Sequence, residues 1–78
     1  MTKLPMYRVL ETDDNGLLML EIRRVWYEKD GRPLRLGNQP RVEALSGDAL
    51  LALLNDLAMA LTAPSLVRGD FPPVVVNG

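Results

Sequence analysis

Cysteine and histidine are both absent from these 78 residues, and only four side chains are aromatic, Tyr7, Trp26, Tyr27 and Phe71. Without cysteine there is no disulfide, no thiolate metal site and no thiol nucleophile, which suits a small fold in a reducing cytosol. Without histidine the commonest general base and metal ligand is gone. No glycine-rich phosphate loop is present either, so no nucleophile has an activating partner, and the chain reads as a non-enzyme with no cofactor and no metal. Neither sign of charge dominates: the formal net charge is −1 and the pI about 5.2, which provides no general field for nucleic acid or acidic lipid. Long apolar runs are missing too. Nothing approaches the ~20 residues that span a bilayer, and MTKLPMYRV lacks the apolar stretch of a signal peptide. A cytoplasmic protein, one domain over residues 1–78, is the expectation.

What is present is a helix with few polar groups. Ala49 to Ala63 contains no Lys, Arg or Glu and a single carboxylate, Asp56. At 100° per residue, Leu50, Leu53, Leu54, Leu57 and Leu61 share one arc of about 100°, the apolar stripe by which a helix covers a sheet, with Leu57 near its centre. Leu51, Ala52, Ala58 and Met59 lie outside it. A helix that is apolar beyond its core-facing stripe needs a second surface, and a chain this short buries only about 60–65% of what its unfolded form exposes. Another chain is the economical source of that surface. Leu51, Ala52 and Met59 are therefore candidate partner-binding residues.

The elements before the helix read as a meander. A strand over about 4–11 leads to Thr12-Asp13-Asp14-Asn15-Gly16, where Asn-Gly supplies the positive φ of a tight hairpin. Asp13, Asp14 and Glu11 are accordingly a polar tip and not a catalytic carboxylate pair. The second strand, 17–28, points Leu18, Leu20 and Ile22 to one side but Val25 and Tyr27 to the other, which predicts a bulge or strong twist near Arg23-Arg24. Lys29-Asp30-Gly31 turns the chain into a third strand over 32–36, and Arg41 to Leu45 is the candidate for a fourth. Ser46 or Asp48 caps a helix over 48–63. Pro64 stops it, and the tail 64–78, with Pro72-Pro73 and Val74-Val75-Val76, favours extended backbone.

Arg23-Arg24-Val25-Trp26-Tyr27-Glu28-Lys29-Asp30-Gly31-Arg32-Pro33, then Pro40, Gly47-Asp48-Ala49-Leu50 and Asp56-Leu57-Ala58-Met59, resemble a class of small uncharacterised bacterial proteins. Those carry an Arg-Glu-Val-Tyr-Tyr-Asp strand, a Gly turn, a proline segment and a capped helix. The order of hairpin, strand and helix over roughly residues 6–66 is also similar to the N-terminal half of HicB-type antitoxins. These are turn and cap residues, so the resemblance implies a fold before a function. It implies a small subunit that neutralises a protein partner. Family members carry charged residues where this chain has Leu51, Ala52 and Leu54, and the DNA-binding segment that usually follows has no counterpart after Pro64.

The second hairpin gathers Arg23, Arg24, Arg32 and Arg35 around Trp26 and Tyr27. Arginine beside aromatics can hold single-stranded nucleic acid, with phosphates on guanidinium groups and bases on rings. Glu21, Glu28, Asp30 and Glu43 are interleaved, however, and opposite charges paired across a solvated sheet face give the same pattern, which argues against nucleic acid. Trp26 has the parity opposite to Val25 and Tyr27. It is either an aromatic anchor for a protein partner or a ring beneath the tail, where Phe71 meets it. The fold expected is α+β: a three- or four-stranded antiparallel meander, one long helix on one face and an extended tail. The function expected is a non-catalytic protein-interaction module, a homodimer or a small accessory or antitoxin-like subunit, with Leu51, Ala52, Met59, Trp26 and Phe71 at the contact. The alternative is a small RNA- or DNA-binding protein.

Overall fold

Asn15 and Gly16 reverse the chain, with φ of 54° and 85°, the positive pair that matches a two-residue turn to the natural twist of the strands it joins. In the computed structural model, which describes residues 4–73, this turn joins β1 (Tyr7–Asp14) to β2 (Leu17–Tyr27). Gly31, at φ 89°, turns the chain again into β3 (Pro33–Leu36). The three strands form one antiparallel sheet in the order β1-β2-β3, followed by helix α1 (Gly47–Met59) and a 3-10 turn at Ala60–Thr62. The fold is α+β.

Four expectations need correction. The fourth strand over 41–45 does not form: the segment is irregular, with Val42 and Leu45 exposed. Gly37 and Asn38 bond to both backbone groups of Arg24, and Pro40 then takes the chain off the sheet. A single parallel rung occupies the opposite edge instead, where Glu11 N–H donates to Leu66 O and Leu66 N–H donates to Val9 O, each at 2.8 Å. Of the bulge or strong twist expected near Arg23-Arg24, the bulge is absent, since β1 and β2 stay in register from Tyr7↔Arg24 to Asp14↔Leu17. The irregularity falls between Trp26 and Tyr27 against β3. Third, Leu18 and Leu20 are exposed. The change of parity needed no bulge because the first half of β2 runs past the core, where neither face is covered.

The helix begins as expected, with Ser46 Oγ accepting from Ala49 N–H at 3.1 Å and Asp48 in the first turn. It ends sooner. The Thr62 hydroxyl donates to Met59 O at 2.7 Å, a local bond that competes with the α-helical ladder, and the last turn tightens to 3-10 geometry. The stripe is the fourth correction: Leu57 and Ala60 are buried, but Leu61, within the tightened turn, is 74% exposed, and Leu54, at the edge of the stripe in the regular helix, is 45% exposed. Helix and 3-10 turn rest chiefly on β1.

The core sits at the base of the hairpin. Leu10, Val25 and Leu66 form its centre, with Tyr27, Leu36 and Phe71 packed around them. Val9, the neighbour of Leu10 and so on the other face, is buried as well, which means β1 is covered on both faces at mid-length. Arg8, 7% exposed, ties this base together: its guanidinium donates to Tyr27 Oη at 3.2 Å and to Pro64 O at 2.7 Å, and the Tyr27 hydroxyl donates to Pro5 O at 2.7 Å. The radius of gyration is 14.2 Å, above the roughly 11–12 Å of a compact chain of this length. The rest of the hairpin projects as an arm. Residues 74–78 of the expected tail lie outside the described residues.

Candidate functional site

Beyond the core the hairpin is two strands of opposite character. Glu11, Thr12, Asp13 and Asp14 form the β1 side, and Leu17, Leu18, Met19 and Leu20 the β2 side. The four apolar residues are 68%, 64%, 52% and 59% exposed. Successive strand residues alternate faces, so Leu17 and Met19 stand on one side of the ribbon and Leu18 and Leu20 on the other. Sequence periodicity puts Leu18 and Leu20 on one side of the strand with Ile22, but nothing covers them there. Four consecutive apolar residues directly after an Asn-Gly turn were the signal that the run lies beyond the core.

A second apolar surface lies on α1. Leu51 and Met59 are more than half exposed, Ala52 is exposed, and Leu54 and Leu61 add to them. The stretch contains no Lys, Arg or Glu, so little there holds water.

Trp26 is half-buried and directly opposite Arg35 on β3. The guanidinium carbons of Arg35 and Arg24 lie 4.1 Å and 4.8 Å from the indole centroid, an arrangement in which the ring quadrupole attracts both cations. Gly37 is required beneath it, because a Cβ there would stand 2.5 Å from Trp26 Cζ3 and 3.0 Å from Arg24 Cβ. Phe71 is half-buried. It packs on the core centred at Val25, whose face is the opposite one, and Pro72 and Pro73 share with Trp26, Leu34 and Arg35 a cleft of about 350 Å³.

The four candidate arginines do not form one surface. Arg32 is held at the second turn by Asp30 at 2.6 Å and Glu28 at 3.1 Å. Arg23 points to the core-side face, bonded to Glu21 Oε1 at 3.0 Å and to Gly37 O at 2.5 Å, whereas Arg24 and Arg35 share the Trp26 face. The Gln39 amide donates to Glu21; that bond, aided by Arg23, holds the Glu21 carboxyl below its ordinary range. Asp30 is likewise lowered, by the Arg32 backbone N–H and then its guanidinium. Arg24 and Arg35 have no carboxylate within salt-bridge distance among the described residues, and Arg24 Nε is buried without a partner.

No protein-family model, curated protein or solved structure matches this chain. The site is therefore read from its own chemistry. Its largest features are apolar, and no helix among the described residues is long and apolar enough to cross a membrane.

Proposed function

We propose that this protein is a non-catalytic protein–protein interaction module of the cytoplasm, acting as a homodimer or as a small accessory, antitoxin-like subunit of a larger assembly. One observation carries the reading: among the described residues fourteen large apolar side chains are exposed while six hydrophobic residues are buried. Scattered exposed leucines need no explanation, but eight gathered on one hairpin arm and one helix do. Together these eight leave apolar surface open on both faces of the arm and along the helix. Covering it with protein supplies the hydrophobic stabilisation that the small core lacks.

Leu51→Glu combined with Met59→Lys tests the helix side. The far-ultraviolet circular dichroism should persist while association weakens and particle mass falls. A wild-type protein that is monomeric at high concentration and captures nothing from lysate would refute the reading.

A second reading, nucleic-acid binding, draws on Arg24 and Arg35, which no carboxylate of the described residues neutralises. Against it, the indole already carries two guanidinium groups, and the remaining candidate arginines point elsewhere or are paired. Titration with single-stranded RNA at two salt concentrations separates the readings, because phosphate contacts weaken steeply with salt and apolar contacts do not. The expected result is no binding even at low salt.

A further inference from the structure

We propose that the partner of the hairpin arm is a second copy of this chain, joined edge to edge along Leu17–Leu20 so that two β2 strands run antiparallel about a two-fold axis. The inference rests on the interaction reading and names its occupant. It begins with the backbone. Arg24 exchanges bonds outward with Gly37 and Asn38, and on β1 Val9 and Glu11 bond outward to Leu66. Outward and inward residues alternate along an antiparallel ladder, so the register Leu18↔Asp13 and Leu20↔Glu11 turns the N–H and C=O of Leu18 and Leu20 away from β1. Nothing among the described residues takes these groups: β3 pairs only from Val25 onward, and Gln39 reaches no further along the edge than Glu21.

An open edge that is apolar on both faces is what soluble proteins ordinarily blunt with charge. Here only one edge is blunted. The β1 side carries Glu11, Asp13 and Asp14, so two β1 edges would repel each other, while the β2 side carries no charge from Leu17 to Leu20. The arm is also polarised along its length, with Arg8, Arg23 and Arg24 at its base and Asp13 and Asp14 at its tip. Antiparallel pairing sets each acidic tip beside the partner's basic base. Parallel pairing would set like beside like.

A register with Met19 on the axis satisfies these conditions. Leu18 then faces the partner's Leu20 as a hydrogen-bonded pair on each side of the axis, giving four backbone hydrogen bonds, and the two Met19 residues oppose each other as a non-hydrogen-bonded pair. Such pairs bring Cα atoms to about 4.5 Å, within the range that a disulfide bridges. Because the chain has no cysteine, one introduced thiol reports this geometry without background.

The experiment compares Met19→Cys with Asp13→Cys and Leu51→Cys in the full chain under mild oxidation, scored by non-reducing electrophoresis. Met19→Cys should convert to a covalent dimer, and the other two should lag far behind. Leu20→Pro supplies a second arm: it deletes an outward N–H without touching the β1 ladder, a position at which proline is tolerated in edge strands, and it should yield a monomer with unchanged circular dichroism. Equal cross-linking of all three cysteine variants, or a dimer that survives Leu20→Pro and dissociates with Leu51→Glu/Met59→Lys, would overturn the proposal; the latter result would leave the broader interaction reading intact, with the helix as the contact.

Discussion

Leu10→Ala should remove a large share of this protein's stability. Leu10 is 1% exposed, the largest fully buried side chain, and it joins β1 to Val25 on β2 and to Leu66 beyond the helix. Truncation deletes three carbons, worth about 2.4 kcal/mol at ~0.8 kcal/mol per buried methylene. The cavity left behind adds to this, because the strand backbone is pinned by the β2 register and the Leu66 rung and cannot collapse into the space. A total of about 3–4 kcal/mol follows, inside the range measured for buried leucines. A domain of this length holds roughly 4–12 kcal/mol in all. Urea unfolding followed by circular dichroism, at fixed protein concentration, should therefore show a much lower midpoint or a chain already unfolded. Val42→Ala, at a position 61% exposed, is the control and should change stability by less than about 0.5 kcal/mol. A loss below about 1 kcal/mol for Leu10→Ala would mean that the cluster at the hairpin base is not the core.

Other expectations follow from the same geometry. Leu57→Ala should cost about 2–4 kcal/mol in chemical unfolding while Leu61→Ala costs little, since only the first is buried; equal losses would show that the helix presents a different face. Gly37→Ala should cost about 1–3 kcal/mol and alter the near-ultraviolet dichroism of Trp26, because the new methyl enters the ring's space and two guanidinium groups hinder the ring's retreat; an unchanged spectrum would contradict the stack. Glu21 has a folded pKa below its ordinary value of 4.5, so its bonds to Gln39 and Arg23 contribute stability that is fully present above that value and is lost as pH falls through the lowered one. Glu21→Gln should therefore lower stability at neutral pH and flatten the acid limb of a stability–pH curve below pH 4.5, with the two proteins converging at low pH; an identical acid limb would count against it.

The turns and caps were legible in the sequence because each is a local requirement. Asn15-Gly16 and Gly31 supply positive φ, and Ser46 accepts the N–H of Ala49 three residues on, so short-range chemistry placed both hairpins and the start of the helix. Parity was legible at Leu18 and Leu20, but burial was not. Alternation tells which residues share a face; it does not tell whether anything covers that face, and here the covering elements stop at the hairpin base. Leu61 failed for a related reason: a uniform 100° step cannot register the tightening that the Thr62 hydroxyl brings after Met59. Leu66 and Arg8 were invisible to pattern reading. One pairs with β1 across 56 residues and the other bonds to Pro64 O at the same separation, and neither has a local signature. Of the candidate site, the exposure of Leu51, Ala52 and Met59 followed from the helix stripe, whereas Phe71 was drawn into the core by the return of the chain through Leu66.

Particle mass by sedimentation equilibrium across a concentration series tests the central claim most directly. The account predicts that the wild-type protein reaches twice its chain mass of 8.7 kDa as concentration rises, and that Leu20→Pro stays at the single-chain mass throughout. A wild-type protein that remains at the single-chain mass up to millimolar concentration would contradict it.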